Sequence, residues 1–245
     1  MPSRPCPSAK MPEFLVFTLS ASLASFGDVA GHERRGSWTW PGRSAILGLL
    51  AAAQGIQRDG DFAALDVLRL AVASFGAGDV LRDYHTVQTV PTAAARHPQS
   101  RPEALRVAGR GVNTTITLRD YRTDMVFGVA VAGEGLAALA RALERPAFHL
   151  YLGRKACPLN APLDPRIVEA ADPVAALAHL RLPPWWPEAD RTSCILHSDP
   201  GLFGPDSPAT QVQTRHDAPL DRRKWHFAPR AVETRSVQIT AVVAT

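Results

Sequence analysis

Along the first two thirds of the chain, apolar positions cluster into blocks that alternate between strand-like runs and helical spacing. FLVFTL, Phe14 to Leu19, has the strongly apolar character of a strand buried on both faces. From Arg43, the sequence RSAILGLLAAAQGI places apolar residues at helical spacing, and Gly55 supplies the C-terminal stop. Val67 to Phe75 predicts a second strand, closed by a turn at Gly76 and Gly78. Met125 to Val131, MVFGVAV, predicts a third. GLAALARAL, Gly135 to Leu143, predicts a short amphipathic helix ending near Pro146, and Phe148 to Leu152 returns as a strand.

The polar stretch inside this pattern needs its own account. From Asp83 to Gly111 apolar residues are few and prolines stand at 91, 98 and 102, and a loop this long is usually functional or disordered. NTTITLRDY, Asn113 to Tyr121, is β-rich and can pair back on RDYHTVQTV, Arg82 to Val90, which predicts a protruding β-hairpin with a mobile tip at about 82–122. The order is then strand, helix, strand, inserted hairpin, strand, helix, strand. That is the ferredoxin-like, or RRM-like, β-α-β-β-α-β arrangement of an α+β domain over residues 11–152. Residues 153–245 read as a linker and a small β-rich C-terminal subdomain, with PPWWP at 183–187 and strand candidates near 193–196, 209–215 and 224–227. Residues 1–10 are polar and proline-rich and read as a disordered extension, with Met11 as an alternative start.

Composition sharpens this picture in two places. Among 245 residues, 21 prolines and 17 glycines imply many turns rather than a helical bundle. The formal charge of +4 is modest, but six arginines stand against two acids between Arg96 and Arg122. A second basic stretch runs from Arg215 to Arg235. Such clusters are either solvated loops or polyanion-binding faces. Cys6, Cys157 and Cys194 are widely spaced, with no CxxC pair and no histidine in ligand register, so neither a disulfide framework, a zinc site nor any cofactor is expected. The apolar run Ile46 to Ala53 is too short to cross a bilayer. FLVFTLSASLASF mimics a secretory signal, but Glu13 opens it, serines interrupt it and no A-x-A site closes it, so a cytoplasmic protein is expected.

Several short motifs bear on chemistry. WPGRS, Trp40 to Ser44, sets Gly42 and Arg43 at a helix start where backbone N–H groups favour a phosphate, or where Ser44 caps the helix instead. The GxxxxGK[ST] spacing of a nucleotide-hydrolysing loop is missing, as is the aromatic signature of an ordinary RNA-recognition motif. Tyr84, His85 and Lys155 are the residue types of a metal-independent ribonuclease, provided they converge. In LYLGRKACPLNAPL, Leu150 to Leu163, Cys157 lacks a visible base and Pro158 follows it, so a rigid corner presenting Arg154 and Lys155 is the stronger reading.

Three blocks together, RSAILGLLAAAQGIQRDG (Arg43 to Gly60), LRDYHTV (Leu81 to Val87) and YLGRKACPLNAPL (Tyr151 to Leu163), resemble the CasD subunits of type I-E CRISPR Cascade complexes, within the RAMP superfamily. The resemblance implies a ferredoxin-like domain, a thumb-like hairpin and a small C-terminal β domain. It implies binding to the 5′ handle of a CRISPR RNA, capping of the backbone subunits, contact with the large subunit, and reach to target DNA through the assembled complex. In type I-E systems a separate subunit cuts the precursor, so a non-catalytic role is implied here; precursor-processing endoribonuclease is the alternative. The RNA contacts carried over are Arg43, Ser44, Tyr84, His85, Gly153, Arg154 and Lys155, with Arg119 and Tyr121 matching more weakly. The first ten residues, the tryptophans of WTW and the arginine- and proline-rich hairpin tip depart from the family pattern.

Overall fold

The computed structural model describes residues 11–28, 33–76, 78–204, 207, 209–224 and 226–243. The expected N-terminal extension lies outside them. The strands are β1 (Glu13–Ala24), β2 (Phe26–Gly27), β3 (Arg34–Arg35), β4 (Ser37–Trp38), β5 (Arg69–Gly76), β6 (Val80–Thr89), β7 (Asn113–Ala132), β8 (Arg166–Glu169), β9 (Arg181–Leu182), β10 (Thr192–Ser198), β11 (Gln211–Asp221), β12 (His226–Thr240) and β13 (Val242–Val243). The helices are α1 (Arg43–Gln54), α2 (Ala63–Asp66), α3 (Arg101–Ala108), α4 (Leu136–Glu144) and α5 (Pro173–Leu177).

One large sheet organises the molecule. Its strands run β11-β12-β10-β5-β7-β1-β8, each neighbour antiparallel, and β3 and β6 add to the extended end of β7. β1 is buried on both faces, as its apolar run predicts. Leu15, Phe17 and Leu19 point to the layer of α1 and α4, and Phe14 and Val16 to the layer of α5. In α1, Ile46, Leu47 and Leu50 form the core stripe, and Gly55 closes the helix in the left-handed region at φ 79°. Leu136, Leu139 and Leu143 repeat that stripe on α4.

Three elements differ from the sequence expectation. Phe148 to Leu152 is not a strand, because the N–H groups of Ala147 and Phe148 donate to Ala53 and Ala52 and terminate α1, leaving only a bridge from Tyr151 to Pro158. The strand that follows α4 and pairs with β1 is β8 instead, a four-residue piece whose alternating exposure gives little periodic signal. The two predicted strands 113–121 and 125–131 are one 20-residue strand, β7, despite Asp124 at φ 49°. The hairpin tip contains α3, capped by Ser100, whose Oγ accepts from Glu103 N at 3.3 Å while Glu103 Oε2 accepts from Gln99 N at 2.9 Å. That S-x-x-E signature, with Pro102 in the first turn, is readable in the sequence.

The C-terminal strands are not sheeted separately. β10 pairs with β5 through Leu196↔Ala73 and His197↔Val72, so β10, β11 and β12 extend the sheet that β1 begins. PPWWP divides its two tryptophans. Trp186 packs against Gly76 and donates its indole N–H to Asp190 O at 2.9 Å, whereas Trp185 stays exposed. No described helix is long and apolar enough to cross a membrane.

Candidate nucleic-acid interface

The β6–β7 ladder decides which of the expected residues can act together. Its register runs without a shift from Val80↔Arg122 to Thr89↔Asn113. Side chains alternate, so directly opposed odd-numbered residues share one face: Leu81 with Tyr121, Asp83 with Arg119, His85 with Thr117. Even-numbered residues share the other: Arg82 with Asp120, Tyr84 with Leu118. β3 lies parallel beside β7 with Arg35 opposite Arg119 and Arg34 opposite Leu118, which adds one arginine to each face.

The odd face is basic. Arg154 reaches it from the turn after Leu152 and lays its guanidinium over the Tyr121 ring, 4.5 Å from the centroid. Tyr121 is itself buried, so its ring supports Arg154 rather than offering a stacking surface. The Nε of Arg119 and one terminal nitrogen of Arg154 are buried without a hydrogen-bond partner among the described residues. His85 Nδ1 lies 2.8 Å from Asp83 Oδ2 on the same face. Lys155, next to Arg154, is exposed.

The turn that presents these cations is fixed from below. Leu152 N donates to Cys157 O and Cys157 N to Arg154 O, each at 2.8 Å. The segment then runs along the edge of β1 that β8 leaves open: Ser25 N donates to Leu152 O, Asn160 N to Ser20 O and Thr18 N to Leu163 O. Gly153 sits at φ 85°, and a Cβ there would lie 1.7 Å from Ser25 O. The close approach that requires glycine is therefore to the end of β1, not to a ligand. Cys157 is fully buried, and burial pushes its thiol up, away from the reactive thiolate.

The even face centres on a buried acid. Asp120 accepts from Arg82 Nε at 2.8 Å and from Arg34 Nε and Nη2 at 3.0 and 2.7 Å. The hydrogen bond from Arg82, joined by that from Arg34, brings its carboxyl down to about 2 against the cost of burial. Tyr84 is 70% exposed on this side. Because Tyr84 and His85 are adjacent in a regular strand, they point to opposite faces, and a ribonuclease site using both at one phosphodiester is not assembled.

The start of α1 overturns the expected phosphate cradle. Arg43 N donates to Asp217 Oδ2 at 2.7 Å, so the anion at this helix N-terminus is the chain's own carboxylate, delivered by β11. A Cβ on Gly42, the N-cap, would lie 2.2 Å from that same oxygen, and Ser44 makes no cap hydrogen bond. The Arg43 guanidinium donates to Asp199 Oδ2, Leu68 O and Asp66 O at 2.5 to 2.8 Å, which leaves it committed internally. Arg230 bridges Asp217 and Asp199, and Arg215 lies over both Trp40 and Trp38, at 4.0 and 4.7 Å. Arg43 thus belongs to a joint between α1 and the C-terminal strands, and Ser44 follows it in the first turn of the helix. Arg35 is the basic-face residue that sequence reasoning missed, because a two-residue strand carries no periodic signal.

A sheet of this order, carrying one long basic ladder and a C-terminal strand group, has its counterparts among the CRISPR-associated proteins. The model of the family described as CRISPR-associated protein (Cas_Cas5) matches residues 14–233. The chain belongs to the Cas5 family. CasD, the CRISPR system Cascade subunit of Escherichia coli strain K12, is 32% identical over 187 residues, covering 68% of this chain and 76% of that protein. A chain of a solved CRISPR RNA-guided surveillance complex superposes with a TM-score of 0.65 at 25% identity, covering 95% of this chain and 93% of that one. A Cas protein solved by crystallography gives 0.61 at 25% identity, covering 95% and 98%.

Proposed function

We propose that this chain is a non-catalytic RNA-binding and assembly subunit of a type I-E Cascade complex, in antiviral defence, which holds the 5′ handle of the CRISPR RNA and caps the backbone subunits. The observation that carries the reading is the odd-numbered face of the hairpin, where Arg119, Arg35 and His85 align and Arg154 joins them over Tyr121. Arg119 Nε and one terminal nitrogen of Arg154 have no hydrogen-bond partner among the described residues, guanidinium donors are what RNA phosphates take, and backbone contact of this kind needs no base-stacking signature. Lys155 and Tyr84 flank that face, Lys155 on the turn and Tyr84 on the reverse. Gly153 shapes the turn.

The likeness to CasD and to the RNA-guided complex supports the assembly part of the reading. The order β8-β1-β7-β5, with α1 and α4 in the crossovers, supports a ferredoxin-like core, and the β6–β7 ladder with α3 at its tip supports a thumb-like insertion. Partners are then the CRISPR RNA, the backbone and large subunits, and target DNA through the assembled complex, in the cytoplasm. The opposed faces of Tyr84 and His85 weigh against the endoribonuclease alternative.

Co-expression with the neighbouring subunits tests this. Purified wild-type assembly carries a discrete RNA that nuclease digestion releases, and Arg119→Ala with Arg154→Ala loses most of it. An assembly free of RNA, or metal-independent cleavage of repeat RNA by the chain alone, overturns the proposal.

A further inference from the structure

The sheet protects most of its edges. β8 has only four residues, and β11, at the other side, breaks register at His216/Ala218 and again at Pro219/Asp221, with a proline in the strand. The chain from Leu152 to Leu163 runs along the open stretch of β1. β6 has none of these devices. Its ten residues hold one unbroken register on β7 and include no proline, and no described strand pairs with its outer side. The ladder fixes which backbone groups that side presents. Asp79 O accepts from Thr123 N at 3.0 Å, the pair that precedes Val80↔Arg122. Hydrogen-bonded pairs alternate in an antiparallel ladder, so odd-numbered residues of β6 turn their N–H and C=O to β7 and even-numbered ones turn them outward. Gln88 O agrees with this phase, since it takes an N–H of the Arg101 guanidinium. Before that capped carbonyl, Val80, Arg82, Tyr84 and Thr86 present N–H and C=O at strand spacing.

Exposure and charge define the strand that fits. Val80 and Tyr84 are 53% and 70% exposed on the even face, where an added strand would set alternate side chains beside them. At the tip end of the edge, Arg101 opens α3, and Arg96, Arg101, Arg106 and Arg110 are all exposed. Between Val90 and Val112 the single acid is Glu103, which is engaged by Gln99 N in the helix cap. We infer that the outer edge of β6 takes an extended segment of a partner protein subunit as an added strand, apolar at alternate positions and acidic where it reaches the arginines of the tip. This rests on the assembly part of the proposed function for the source of the segment, and not on RNA binding.

Residue-level amide exchange tests this on the purified full-length chain alone, the chain with a single-stranded handle RNA, and the co-expressed assembly. In the assembly the amides of Arg82, Tyr84 and Thr86 are expected to slow about tenfold or more, while those of Asp83 and His85, already bonded to β7, change little. Thr86→Pro removes one outward N–H and leaves the ladder bonds in place, so it is expected to weaken incorporation about tenfold while the chain alone stays folded. Arg106→Glu with Arg110→Glu leaves the strand untouched and is expected to weaken incorporation too, most at low salt. Unchanged even-numbered amides in an assembly that forms overturn the inference, as does equal slowing of odd and even residues. Slowing by RNA alone assigns the edge to RNA, and slowing that grows with the concentration of the chain alone assigns it to a second copy; either overturns the partner strand. In each of these cases an assembly whose RNA depends on Arg119 and Arg154 leaves the proposed function standing. An assembly that does not form removes both.

Discussion

Arg154 shows how little of a side chain's role its residue type decides. Its neighbours Gly153 and Cys157 have backbone tasks, one turning the chain past Ser25 at φ 85° and the other closing the turn through hydrogen bonds at both N and O. Only with those fixed does the guanidinium settle over Tyr121. Gly153→Ala would add left-handed strain and a clash with a backbone oxygen, and is expected to cost at least about 2 kcal/mol. Urea denaturation measures this, and RNA affinity should fall with it. An unchanged midpoint would contradict the account of the turn. The sequence already pointed to this glycine and these cations, since Gly-Arg-Lys before a proline-rich exit reads as a presented corner. It could not tell that Arg43 is different, because the carboxylates that claim it, Asp199 and Asp217, lie more than 150 residues away in the chain.

At the scale of elements, the joint between α1 and the C-terminal strands is the least expected feature, and it is sensitive to acid. The His197 ring stacks on Trp40 with centroids 4.1 Å apart, and burial, followed by the Arg215 charge, pushes its imidazole down to about 4. The folded chain therefore resists protonating a group that the unfolded chain protonates near 6.5. Stability from this group is complete above that pH and is lost as pH falls from about 6.5 to 4, on the order of 3 kcal/mol in all. Denaturant midpoints between pH 7.5 and 4 should fall more steeply for the wild type than for His197→Gln, and parallel profiles would refute the assignment. Periodicity revealed α1, β5 and α4 because each buries a long apolar stripe. It missed β8, which is short and half polar, and it split β7, which changes from a solvent-facing ladder to a core strand near Asp124.

For the molecule as a whole, one sheet carries both the core and the extended ladder, so the basic face is rooted in the most buried strand pair, β1 and β7. Strand order was legible only as far as local pattern implied it, and the fusion of β10 to β5 depends on pairing across more than 120 residues. In the function proposed, Arg119 and Arg154 meet RNA phosphates. The direct measurement is the affinity of a labelled single-stranded handle RNA as a function of salt. Each lost phosphate contact lowers the slope of log K against log[salt] by about 0.7, so Arg119→Ala with Arg154→Ala should make it shallower by about 1.4 and weaken binding most at low salt. A double variant with the wild-type slope and affinity would contradict the claim.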